Sequence, residues 1–323
     1  MKKLSTVIVS AVSVLLGGCI KDELPVPSTP RGDERSAQFC LGTGYQQQLW
    51  IDLADNSVVR QNDLGAWDLA FESAPNGWRI MVNGGRLMLA WNSGVSDITA
   101  SLDLAAVPLQ GRIDAPSAHP DSTAIGDWRT LDQVFVLDLG YDALGLPKGF
   151  RRIRPISVDA QAYTIEVAQA DGSGATTVVV PKDTQRGWVH FSFEQGVVQV
   201  SPVRGAWDIV LTRYTHNFED IVLPYIVVGA LIDGTDVRVS RITGKSFNEV
   251  TLGDTVQHPF QQRRDIIGYN WKEYSFETSS YTCLQDLVYI LRNAQGVFYK
   301  LHFLDFYGSQ GQAGCPLYAV KEL

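Results

Sequence analysis

Gly65-Ala66-Trp67-Asp68-Leu69-Ala70-Phe71 recurs 140 residues later as Gly205-Ala206-Trp207-Asp208-Ile209-Val210-Leu211. The stretches ahead of the two copies keep the same register, Leu49-Trp50-Ile51-Asp52-Leu53 matching Val189-His190-Phe191-Ser192-Phe193. Each copy reads as strand, turn, and a second strand opening on Trp-Asp. The Trp supplies a large core anchor, and the Asp can hold a turn through backbone hydrogen bonds. Any fold for this chain must accommodate the unit twice. Two β modules, or one sandwich built from duplicated halves, satisfy that demand.

The remaining pattern is also β. Val134–Leu139, Tyr163–Val167, Thr176–Val180, Trp188–Phe193 and Val197–Val200 are short, β-branched and aromatic runs bounded by Gly, Pro or Asp. Asp171-Gly172, Asp233-Gly234 and Gln295-Gly296 read as hairpin turns. No stretch beyond residue 40 sustains a helical period. The expected fold is all-β, an antiparallel β-sandwich-like body carrying the repeated strand-turn-Trp-Asp-strand unit. A weak break near Gly145–Gly149 divides it into an N-terminal β module, 37–145, and a second β domain, 146–323.

Ahead of the body, Met1-Lys2-Lys3 is a basic start and Val7–Leu16 an apolar run too short to span a bilayer. Leu16-Gly17-Gly18-Cys19 follows, the pattern of a bacterial lipoprotein signal in which residues 1–18 are removed and Cys19 is acylated. Stable anchoring takes more than one acyl chain, which a fully processed lipoprotein cysteine carries. Lys21-Asp22-Glu23 resembles the surface-export signal of Bacteroidota lipoproteins, so an outer-membrane protein exposed at the cell surface is expected. Residues 19–36, with Pro25, Pro27 and Pro30, read as a lipidated, extended tether. Cys40, Cys283 and Cys315 remain in the body. An exported chain permits one disulfide and one free thiol among them, and the spacing does not choose the pair.

A formal net charge of −8 excludes a phosphate-neutralising surface and with it a nucleic-acid partner. There is no nucleophile elbow, phosphate-binding loop or zinc-protease helix, so a non-enzymatic binding protein is expected. His119, His190, His216, His258 and His302 show no metal-site spacing. His190 and His302 alternate with apolar neighbours and read as surface strand residues; His119 reads as a solvated loop residue. His216 and His258 read as loop residues beside aromatics, where ligands commonly bind β scaffolds. An imidazole so placed could ligate haem iron, with apolar neighbours on the porphyrin faces. Met81 and Met88 are thioether alternatives, core packing being their other role.

Several blocks resemble the HmuY family of Bacteroidota haem-binding lipoproteins: Trp207–His216, Pro224–Ile232, Ile267–Lys272, Phe298–Tyr307 and Gly311–Pro316, in order across about residues 135–323. The resemblance implies an all-β lipoprotein that takes up haem beside an outer-membrane receptor, here one of TonB-dependent type. His216 is the best single candidate for an iron ligand, and Tyr214 of the same block is a candidate haem contact. The family's better-known branch clamps iron with two histidines, and Phe276 or Glu277 stands where the second would fall. A second ligand would therefore come from His258, Met81 or Met88. A surface adhesion or assembly module on the same scaffold is the alternative without haem. For the anchor, metabolic labelling with palmitate should mark the wild-type protein and not Cys19→Ala; equal labelling of both would remove Cys19 from that role.

Overall fold

The computed structural model describes residues 32–218 and 224–323, and Gly32–Leu323 forms one compact unit. The signal, Cys19 and the tether up to residue 31 lie outside the described residues. Chain order opens with β1 (Arg35–Gln38), the hairpin β2 (Gln47–Asp52) and β3 (Ser57–Asp63), and the pair β4 (Leu69–Glu72) and β5 (Ile80–Val82). A meander follows: β6 (Leu89–Asn92), β7 (Phe135–Asp138), β8 (Phe150–Val158), β9 (Ala162–Gln169) and β10 (Thr176–Pro181). Then come β11 (Trp188–Ser192), β12 (Gly196–Val198), β13 (Ile209–Asn217), β14 (Pro224–Ile232) and β15 (Arg238–Thr243). The chain closes with β16 (Lys272–Ser275), β17 (Ser280–Cys283), β18 (Leu287–Arg292), β19 (Phe298–Tyr307) and β20 (Ala313–Glu322). Among the described residues the only α-helix is one turn, α1 (Val107–Gln110). The all-β expectation holds.

Four larger sheets result, all antiparallel: β1-β20-β19-β18-β15, β10-β9-β8-β7-β6, β12-β11-β4-β5 and β14-β13-β2-β3. Side chains alternate across each strand, and the central sheets use both faces. Leu69, Phe71, Val189 and Phe191 point into a core shared with Leu137, Ile153 and Tyr163 of the meander sheet. Leu49, Ile51, Ile209 and Leu211 point into a core shared with Tyr289, Leu301 and Phe303. The intervening residues Trp50, Trp67, Ala70, Trp207 and Val210 meet in a third core between the two four-stranded sheets.

The repeat explains that arrangement, because each copy grips the other. Asp68 accepts a hydrogen bond from the Phe193 amide (2.8 Å), and Asp208 accepts one from the Leu53 amide (2.9 Å). The Asp68 amide donates to the Phe191 carbonyl and the Asp208 amide to the Ile51 carbonyl, both at 2.8 Å. Leu69 lies opposite Phe191 in β4–β11, as Ile209 lies opposite Ile51 in β13–β2. Trp67 meets His190 edge-on at 4.9 Å, and Trp207 meets Trp50 edge-on at 4.6 Å. Every contact maps onto its counterpart through the 140-residue register. Strands from before and after residue 145 therefore pair within both central sheets.

Where both faces of a sheet are covered, alternation stops reporting exposure. His190 and His302, expected at the surface, are instead buried at 5% and 8% exposure. His302 stacks on Phe247 at 4.2 Å, beneath the loop that follows β15. The Asp233-Gly234 turn also differs from expectation: it carries the chain from β14 in one sheet to β15 in another rather than closing a hairpin. Asp171-Gly172 does close β9–β10, with Gly172 at φ +88°, where a Cβ would sit 2.9 Å from Thr99 Cα. Cys40 and Cys315 are joined as a disulfide, leaving Cys283 a buried thiol. Arg35 and Ser36, assigned to the tether, already pair with Val320 and Ala319.

The two aspartates are not equivalent. Asp68 also holds the buried Arg86 guanidinium at 2.5 Å, whereas burial raises the Asp208 carboxyl to about 6. Asp208→Ala orphans one buried amide and should cost about 1–3 kcal/mol. Asp68→Ala additionally strands a buried cation and should cost about 3–5 kcal/mol. Urea midpoints of the two variants test the order; equal losses would contradict it.

Candidate ligand-binding groove

β13 outruns its neighbour. Ile209, Val210 and Leu211 pair with β2, while the strand continues with β14 as far as Asn217 opposite Pro224. His216 therefore sits near the end of a strand, not in the loop the sequence suggested, and lies opposite Tyr225. Its ring packs against Phe218 (5.1 Å) and Tyr269 (4.9 Å), and Phe218 in turn meets Tyr225 at 5.8 Å. Tyr269 is delivered by a close main-chain approach. A Cβ on Gly229 of β14 would lie 2.2 Å from the Gly268 carbonyl oxygen, and Ala230 and Gly268 exchange backbone hydrogen bonds at 2.9 and 3.0 Å.

The facing wall is the loop between β6 and β7. α1 and the residues after it bring Pro108, Leu109, Arg112, Ile113 and Pro116 to the groove that His216 lines, and Leu89 of β6 with Arg263 and Asp265 from the segment between β15 and β16 complete this lining. The enclosed volume is about 790 Å³, within the roughly 300–1,000 Å³ range of small-molecule sites. Two side chains pin this loop. Asp114 is buried and accepts the Val82 and Ala124 amides, each at 2.6 Å, while Arg79 donates to the Ala118 carbonyl. Leu109 stands 83% exposed on the wall, an apolar side chain no other part of the described chain covers.

Burial lowers the His216 pKa below its ordinary value; nearby Asp265 opposes the shift and Arg263 adds to it. That shift favours the neutral ring, which keeps a lone pair for a metal. Arg263 pairs with Asp265 at 2.9 Å.

The other sequence candidates fall elsewhere. Tyr214 and Met81 are buried and line a separate interior cavity of about 50 Å³ between the central sheets. Met88 is fully buried in the core shared with the meander sheet. His258 lies after a short 3-10 turn, its carbonyl accepting from Ser240 on β15. None of these four lines the His216 groove. Among the described residues, no cluster of three or more His, Cys, Asp or Glu side chains is arranged to hold a metal ion.

The interior cavity exposes groups the sequence did not signal: His190, Asp114 and Arg264. Burial holds His190 neutral, its pKa pushed down to about 3, with Arg264, Arg186 and Arg60 reinforcing the shift. The unfolded imidazole takes up a proton below about 6.5 while the folded one does not, so stability falls as pH drops from about 6.5 toward 3. Inside that window each pH unit removes about 1.4 kcal/mol through this group. His190→Gln should flatten the acid side of a thermal-stability profile between pH 7 and 4; a profile parallel to wild type would contradict the assignment.

No protein-family model matches this chain, and no curated protein does. Among solved structures, apo PinO from Porphyromonas gingivitis is similar over 90% of this chain and 98% of its own, at 9% identity and a TM-score of 0.30. The apo HmuY analog of Tannerella forsythia is similar over 53% of this chain and 95% of its own, at 9% identity and a TM-score of 0.23.

Proposed function

We propose that this protein is a non-enzymatic, surface-anchored lipoprotein that binds haem for iron or haem acquisition, passing it to an outer-membrane receptor of TonB-dependent type. The single observation behind this reading is a half-buried imidazole, its neutral form favoured by burial, at the edge of a groove of porphyrin-compatible volume lined by apolar and polar side chains in about equal number. The donor set fits the group. His216 Nε2 or Nδ1 would meet the iron, Leu109, Ile113 and Pro116 would cover a porphyrin face, and Arg112 and Arg263 would meet the propionates. Among the described residues the groove holds one imidazole and no thioether, so a single protein ligand is expected there. Cys19, outside the described residues, would supply the membrane attachment.

The adhesion reading has one observation in its favour. Tyr274 on β16 and Phe276 in the turn of the β16–β17 hairpin are 43% and 89% exposed and pack on one another at 5.2 Å. Such an aromatic tip suits a protein partner.

Titration of the soluble chain lacking residues 1–19 with hemin separates the two. Haem binding predicts a saturable Soret shift, with affinity at least tenfold weaker in His216→Ala and unchanged in Phe276→Ser. An unaltered Soret spectrum in wild type would overturn the proposal, and an unaltered affinity in His216→Ala would remove that ligand.

A further inference from the structure

The loop that walls the groove also walls a second concavity, since Ser117 and Arg263 line both. This cleft encloses about 500 Å³ and gathers three arginines, Arg79, Arg263 and Arg264, beside the indole of Trp188. Two of the three are already neutralised. Arg79 forks onto Glu72 at 2.9 and 2.5 Å and lies 5.1 Å from the Trp188 ring centre; Arg263 is held by Asp265.

Arg264 is different. Its carbonyl accepts from the Ile232 amide at 2.9 Å, fixing its main chain along β14. Among the described residues, no carboxylate forms an ion pair with its guanidinium and no carbonyl accepts a hydrogen bond from it. The side chain lies where the cleft, the interior cavity and a small pocket of about 20 Å³ converge. Two buried polar atoms in that small pocket, Asp233 Oδ2 and Ser201 Oγ, lack partners. Burial draws the Arg264 pKa down, although Asp233 and Asp114 partly oppose this. A guanidinium does not deprotonate in proteins, and this one is partly exposed at the cleft with no ion-pair partner among the described residues. An anion entering the cleft would supply that partner.

We propose that Arg264 anchors a second ligand site, distinct from the groove, for a small organic oxyanion presenting a terminal carboxylate or phosphate. The guanidinium fork matches either group with two parallel hydrogen bonds. Trp188 offers a flat apolar flank, and Gln262 and Thr235 stand at the cleft as polar contacts. In a chain of net charge −8, this is a local reversal of sign that selects anions by position.

Calorimetric titration of residues 20–323 with inorganic phosphate, and separately with citrate, tests the site. The expected result is saturable one-to-one binding of at least one probe, at least tenfold weaker in Arg264→Gln. Thr235→Trp, an exposed substitution that fills the cleft without replacing the arginine, should weaken binding to the same degree. Phosphate alone binding assigns a phosphate-bearing ligand, citrate alone a carboxylate. No saturable binding of either probe, or binding that Arg264→Gln leaves unchanged, overturns the proposal. Should circular dichroism show Arg264→Gln unfolded, Thr235→Trp decides, and full affinity in that variant overturns it. His216→Ala must leave this binding intact, so the site and the haem reading fail separately.

Discussion

The reciprocal grip of Asp68 on the Phe193 amide and Asp208 on the Leu53 amide organises everything else in the described chain. Each aspartate sits at the head of a strand and closes its turn onto the other copy's preceding strand rather than onto its own. That choice interleaves the copies. It makes two central sheets instead of two separate modules, puts Trp50, Trp67 and Trp207 between them, and leaves each central sheet a second face for an outer sheet. Three cores from one repeated device is an economical route to a chain with almost no helix.

The copies then diverge where a site could arise. β4 stops after four residues, whereas β13, its counterpart, runs for nine and projects beyond β2. His216 lies on that projection. In the other direction, His190 occupies the place that Trp50 fills in the first copy, putting a titratable ring where the repeat calls for an indole. Arg86 neutralises Asp68 only, so Asp208 carries its charge alone among the described residues. Symmetry serves stability here, and departures from symmetry supply the polar and ligand-capable groups.

The repeat, the all-β class and most strand positions were legible in the residues, because Trp-Asp spacing and β-branched runs are local signals. The groove was legible in part. His216 stood out beside its aromatics, but the opposing wall comes from the loop around α1, about a hundred residues earlier, which has no periodicity to read. His190 and His302 were misplaced for a physical reason, since alternation predicts exposure only when one face of a sheet meets water. Cys40 pairs with a residue 275 positions away, a contact that strand order alone decides. Arg264 gave no signal either: a charge matters there because of what fails to reach it, and sequence does not show distance.

The account turns on whether the projecting end of β13 and the loop opposite enclose an iron porphyrin. A crystal structure of the soluble chain grown with hemin measures this directly. The prediction is porphyrin density between Leu109 and His216, with an imidazole nitrogen of His216 bonded to the iron and the propionates toward Arg112 or Arg263. Density on another face, or a groove that stays free of porphyrin at saturating hemin, would contradict it.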